Sequence, residues 1–121
     1  MSALNYREQF GELIEKGLKV QTIRAKRKRP IKAGETLYHY TGMRTKNCRR
    51  RLVSKCLGVR DIWINGGGTI YLDGSKLTIK ERKNFAEADG FVDCDAFLAF
   101  FSLTHGLPFY GDVILWNFPG K

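Results

Sequence analysis

"KVQTIRAKRKRPIKAGETLYHYTGMRTKNCRR", residues 19–50, holds two strand-like runs separated by a burst of positive charge. Residues 20–24 (Val-Gln-Thr-Ile-Arg) read as a strand, and residues 36–41 are dominated by β-branched and aromatic side chains. Between them Lys26, Arg27, Lys28 and Arg29 follow without a break, and Ala33-Gly34-Glu35 reads as a turn into the second strand. Alternate side chains of an extended strand share a face, so Thr22 and Arg24 point one way while Gln21 and Ile23 point the other. With Ile23 toward a core, Thr22 and Arg24 face the opposite surface or a cleft. Lys19 is three residues from Thr22 and reaches that face only from a turn following Gly17.

Working outward, Asn5-Tyr6-Arg7-Glu8 has the spacing of a helix capping pair, and Tyr6, Phe10, Leu13 and Ile14 recur at helical intervals up to Gly17. Downstream, residues 52–59 are a third strand candidate, and Asn65-Gly66-Gly67-Gly68 is a loop. That loop lacks the Lys-Ser/Thr ending of a phosphate-binding P-loop. Residues 69–72 and 76–79 flank Asp73-Gly74-Ser75 as a hairpin. A short helix over 80–88 stops near Asp89-Gly90. A second, opened by Asp93 as N-cap, carries Phe97, Phe100 and Phe101 on one stripe and ends at Gly106. Residues 113–118 close the chain as a strand. Helix, strands, helix, strand without βαβ alternation predicts one α+β domain over 1–121, a small, mostly antiparallel sheet or barrel.

Charge gives the first functional clue. The chain carries a net +9, and residues 19–51 alone hold twelve Lys or Arg against one acid, Glu35. The flanking segments, 1–18 and 52–121, each sum to −1, so the excess is confined to one part of the sequence. Charge concentrated in this way points to a polyanionic partner. Its second block is "GMRTKNCRRR", residues 42–51, with Arg44, Lys46, Arg49, Arg50 and Arg51. Tyr38 and Tyr40 alternate on one face of the preceding strand, and basic grooves with aromatic platforms suit single-stranded nucleic acid. Trp63 and Trp116 read as core or rim residues, and His105 as a helix-end residue.

Cys48, Cys56 and Cys94 are odd in number and widely spaced, so no disulfide framework and no CxxC zinc pair is expected. His39 and His105 complete no ligand set, and neither a metal nor a cofactor is expected. No apolar run approaches the ~18 residues of a membrane span, and the N-terminus lacks a secretory pattern. The expectation is a cytoplasmic protein, monomeric and without a membrane partner.

The Thr-Ile-Arg strand, the basic loop and the pattern Gly-Glu-x-Leu-x-x-x-x-Gly-x-Arg of residues 34–44 resemble the ASCH domain of the PUA-like superfamily. The later "FAEADGFVDCDAFLAFFSLTHGLPFYGDVILWNF", residues 85–118, is similar to that family's C-terminal helix and closing strand. The resemblance extends to small bacterial and prophage-type single-domain members. It implies a PUA-like small β-barrel with an N-terminal helix, a helix before the last strand, and a cleft for RNA or a nucleotide-like ligand. Arg24, Lys26 to Arg29, Tyr40 and the cations of 44–51 would line it.

Some members of the family are amidohydrolases that deacylate acetylcytidine. By resemblance, Lys19 matches their proton acceptor and Thr22 their nucleophile. Asp95, one carbon shorter than the family's Glu, matches the proton donor. The chemistry is coherent, because a threonine hydroxyl needs a neighbouring base, and a lysine is one only when burial or nearby cations lower its pKa. Asp95 in a first helical turn also has an ordinary role against the helix dipole. RNA or nucleotide binding is therefore the primary expectation, with the amidohydrolase, then a ribonuclease, as alternatives. A module for protein partners fits less well, since interface cores are depleted in lysine.

Overall fold

The alternation of apolar residues, more than any helical period, organises the N-terminus. Leu4 and Tyr6 are buried while Ala3 and Asn5 are exposed, and this period of two makes strand β1, Ser2–Tyr6. The structure, a computed structural model, describes residues 1–119. The expected N-terminal helix is reduced to a 3-10 turn, Glu8–Phe10, and a single-turn helix α1, Gly11–Glu15. No Asn5–Glu8 capping pair forms; the Asn5 side chain instead accepts a hydrogen bond from the Met43 backbone N–H at 3.1 Å. Gly17 does end the helical segment, with φ of 75°.

Strands β2 (Gln21–Ala25) and β3 (Thr36–Thr41) lie where their sequence places them. Strand β4, Arg49–Ile64, is twice as long as expected. Its first part absorbs Arg49 and Arg50, which pair with Thr41 and Tyr40 of β3, and Arg51, which falls at a bulge between the Arg50 and Leu52 pairings. Its last part alternates buried Ile62 and Ile64 with exposed Asp61 and Trp63. The hairpin of β5 (Ile70–Leu72) and β6 (Ser75–Lys76) turns at Asp73 and Gly74, both with positive φ. Helix α2, Ile79–Ala88, starts with a complete capping box from Thr78 and Glu81. Helix α3, Cys94–Thr104, is capped by the Asp93 side chain, which accepts from the Ala96 N–H at 2.8 Å. Strand β7, Phe109–Trp116, ends the fold.

The sheet is mixed. Strand β1 runs parallel to β3, and all the other pairings are antiparallel: β3 with β4, β4 with β5 and β7, β7 with β2, and β5 with β6. The long β4 gives its first half to β3 and its second to β7 and β5. A bulge between Cys56 and Gly58 lies where it changes partner. The result is an α+β fold, but the sheet does not close into a barrel: β1 pairs only with β3, β2 only with β7, and no ladder joins the two.

Two apolar cores flank this open seam. One packs Phe85 of α2 and Phe97 and Phe101 of α3 against Ile62, Ile64, Ile70 and Val113. The other joins Leu4, Tyr6, Phe10, Ile14, Leu37 and Trp116. Phe91, between the two helices, packs on both cores, so α3 is held across the top of the seam. No helix among the described residues is long and apolar enough to cross a membrane.

Candidate functional site

A cavity of about 170 Å³ opens at the seam. That is the scale of a pocket that holds one six-membered ring, about 150 Å³ in the benzene-binding case. Strand β1 supplies Asn5 and Tyr6; Arg7 and Phe10 come from the turn after it. Lys19, Thr22 and Arg24 come from the β2 side, Asp89 from the end of α2, and Phe100, Phe101 and His105 from α3 and its cap. Lys19 precedes β2, and its N–H bonds to the Leu13 carbonyl at 3.0 Å. This anchor behind Gly17 lets the side chain enter the cavity beside Thr22, as the turn required by the strand geometry demanded.

Asp95, matched by sequence to the acid of the site, does not line the cavity. It is exposed on the first turn of α3, where a carboxylate favours the helix dipole. The acid in the cavity is Asp89, the C-cap of α2. Sequence reading treated Asp89-Gly90 only as a helix stop, although a carboxylate followed by a turn glycine and an aromatic residue was a visible pattern. Gly90 has φ of 97°, and a Cβ there would sit 3.3 Å from the Lys19 Cδ. The glycine thus both turns the chain and leaves room for the lysine stem.

Lys19 and Asp89 form a buried pair, 2% and 5% exposed. The ammonium donates to the Asp89 carbonyl at 2.5 Å and lies 3.5 Å from its carboxylate. It also stands 4.7 Å from the Phe10 ring centroid, a cation–π position. Gln21 Nε2 donates to the other carboxylate oxygen at 3.4 Å. Burial pushes the lysine pKa down, against the pull of Asp89, and nearby Arg24 lowers it further. Burial likewise pushes Asp89 up, against the opposing charge of Lys19. Both shifts run toward the neutral forms, an amine free to accept a proton and a carboxyl with one to give.

Arg24 spans the seam. Its Nη2 donates to the Asn5 carbonyl at 2.7 Å and its Nε to Thr22 Oγ1 at 3.2 Å, while the guanidinium lies 4.9 Å from the Tyr6 ring centroid. Among the described residues no carboxylate forms a salt bridge with it. It is therefore a half-buried cation with charge to spare for a ligand. Beneath it runs a buried polar chain: Tyr6 Oη lies 2.9 Å from His39 Nδ1, and His39 Nε2 lies 2.8 Å from Ser54 Oγ. His39 is fully buried, and desolvation first, then the charges of Arg24 and Lys19, pull its pKa to about 4. The ring is neutral at physiological pH, one nitrogen donating to a hydroxyl and the other accepting from one. Burial raises the Tyr6 phenol well beyond its ordinary value, so Tyr6 stays protonated.

The remaining cations of residues 19–51 divide into paired and unpaired groups. Lys26 is held by Asp61 and Asp112 and stands over the Tyr110 ring. Arg51, only 5% exposed in its side chain, is held by Glu8 and Glu15 and donates to Thr41 Oγ1 at 2.9 Å. Arg49 pairs with Glu15 at 3.4 Å. These three read from sequence as ligand contacts, but the fold uses them against acids far away in the chain. Arg27, Lys28, Arg29, Arg44, Lys46 and Arg50 are exposed, without a salt-bridge partner among the described residues. Tyr40 is half-buried on the face of β3 opposite His39 and does not line the cavity. Trp116 is buried in the core and Trp63 lies on the surface.

Compared with models of known protein families the chain matches none, and a comparison with curated proteins gives no match either.

Proposed function

We propose that the chain is an ASCH-type, PUA-like domain acting in the cytoplasm, whose seam cavity takes the base of an RNA or nucleotide ligand. The observation that carries this reading is Arg24, a half-buried cation without a carboxylate partner among the described residues, at a ring-sized, aromatic-walled cavity. A guanidinium fixed by two hydrogen bonds meets a phosphate without further loss of side-chain freedom. Tyr6, Phe100 and Phe101 offer apolar surface for a planar ring, and the Asp89 carboxyl, Thr22 hydroxyl and Asn5 backbone offer polar edges.

Calorimetric titration with the four ribonucleoside monophosphates tests it. At least one is expected to bind, and Arg24→Ala is expected to weaken that binding about 10- to 100-fold, from a lost charge-assisted bond of about 1.5–3 kcal/mol. Saturation by none of the four, or equal affinity in the Arg24→Ala variant, overturns the reading.

A second reading, an amidohydrolase, is favoured by the meeting of Lys19, Thr22 and Asp89 in one cavity. In this scheme Thr22 Oγ1 attacks an acyl carbonyl while the Lys19 amine takes its proton. The C–N bond then breaks with a proton from Asp89 to the leaving amine, and water releases the acid from the acyl-threonine. Among the described residues Thr22 Oγ1 accepts from Arg24 and not from Lys19, so the substrate has to draw base and nucleophile together. Acetate release from acetylcytidine, lost in Thr22→Ala, is the expected result. No release by the unaltered protein leaves binding alone.

A further inference from the structure

The main path of the sheet runs β1-β3-β4-β7-β2, so β1 and β2 are its terminal strands, each paired on one side only. A strand edge of this kind presents backbone N–H and C=O groups to whatever lies beside it. The two edges face each other across the seam and run in opposite directions. Asn5 and Tyr6 of β1 share the inner cavity with Thr22 of β2, while Ala3 and Leu4 share an outer depression of about 270 Å³ with Arg24 and Arg27. Phe100 and Phe101 of α3 wall the inner cavity, but no helix residue lines the outer depression. What crosses the gap is a side chain and not a ladder: Arg24 Nη2 donates to the Asn5 carbonyl at 2.7 Å. That carbonyl is turned into the seam, where a guanidinium meets it in place of a neighbouring strand. Neither Arg24 nor Arg27 forms a salt bridge among the described residues. Glu35, the acid at the start of β1, is engaged by Ser2 and the N-terminal amine.

We propose that the seam takes an extended, acidic segment of a partner protein as an added strand, parallel to one edge and antiparallel to the other. Main-chain hydrogen bonds to β1 and β2 supply the affinity, and carboxylates at alternate positions meet Arg24 and Arg27. Both edges are five residues long, which sets the length of the segment they hold. Arg24 yields the Asn5 carbonyl to the added strand and turns to a carboxylate. The added strand joins β1 to β2, closes the path into a ring and removes both free edges. Charge selects this occupant. A basic segment is repelled by the two arginines, and a second copy of the chain brings the same cations on its own β1 and β2 edges. The proposal goes beyond the nucleotide reading, because the ligand is a peptide recognised through its main chain.

The test measures fluorescence anisotropy with three capped, labelled peptides. One alternates valine and glutamate, one alternates valine and lysine, and the third is the valine–glutamate peptide N-methylated at every second residue. N-methylation keeps the charge and removes the N–H groups that face one edge. The unmodified acidic peptide is expected to bind about ten-fold or more tighter than either control, the effect of one or two lost main-chain bonds. Arg27→Glu, at an exposed position, is expected to weaken it by a similar factor. Hydrogen exchange of the complex should slow at amides within residues 2–6 and 21–25 and stay unchanged in the β5–β6 hairpin. No binding of the acidic peptide at millimolar concentration overturns the proposal. Equal binding of the N-methylated peptide does so by leaving charge alone as the cause, and equal binding of the lysine peptide by removing the selection for acid. Sedimentation showing a dimer whose residues 2–6 and 21–25 are already protected also overturns it, because a second copy then fills the seam.

Discussion

Lys19→Met is expected to cost about 3–5 kcal/mol of folding stability, the range for removing one partner of a buried ion pair. The reason is what stays behind. Asp89 is 5% exposed, and its remaining side-chain partner is Gln21 Nε2 at 3.4 Å, so the variant strands a carboxylate in a low-dielectric site. Domains of this size have only about 5–15 kcal/mol in total, so the single variant stands near the edge of folding. The double variant Lys19→Met with Asp89→Leu replaces both charges by apolar groups and is expected to recover most of the loss. Urea unfolding of the three proteins decides it. A single-variant loss below about 1 kcal/mol, or a double variant no better than the single, would show that the pair is not a buried unit. The result bears on function as well, because a pair this costly to break is kept in place by folding while remaining available at a ligand cavity.

Acidification is expected to weaken the fold through His39. The folded ring has a pKa of about 4 against an ordinary 6.5, so between these values the unfolded chain binds the proton and the folded one does not. A depressed folded pKa therefore means that full stability is present above about pH 6.5 and is lost as pH falls toward 4. Two and a half units correspond to on the order of 3 kcal/mol. Replacement of His39 by Gln keeps polar contacts to Tyr6 and Ser54 within reach and removes the titration. Denaturant midpoints measured from pH 7 to pH 4 should fall steeply for the natural chain and less so for His39→Gln. Parallel curves would assign the acid sensitivity elsewhere.

Both effects arise from polar groups in the interior between the two sheet edges, and that interior explains what could be read from the sequence. The strands at 21–25 and 36–41, the hairpin at Asp73-Gly74 and the capped helices α2 and α3 are legible because their signals are local. A β-branched run, an N-cap Asp93 or a positive-φ glycine acts within a few residues of itself. Lys19 and Thr22, brought together in the sequence only by the family resemblance, line one cavity because both stand on a single short stretch.

The N-terminus shows the limit of local reading. Tyr6, Phe10, Leu13 and Ile14 fit a helical period, yet Leu4 and Tyr6 also fit the alternation of a strand, and β3 decides between them. Tyr6 pairs with Thr41, thirty-five positions away, and no feature of residues 1–6 announces that partner. A parallel edge strand adds hydrogen bonds that the short helix could not supply from so few residues. Barrel closure was not legible for a similar reason, because whether β1 meets β2 is a long-range pairing, and β1 pairs with β3 and β2 with β7 instead.

What the sequence by itself determined about this protein is the α+β class, the identity of most elements, and the concentration of positive charge in residues 19–51. Only the tertiary structure decided which charges are free. Lys26 is taken by Asp61 and Asp112, and Arg51 by Glu8 and Glu15, while Arg24 is left facing the cavity. It also put Asp89 in the site and left Asp95 on the surface. Electrostatic pairing depends on distance in space, over which the chain order of cations and acids has little control.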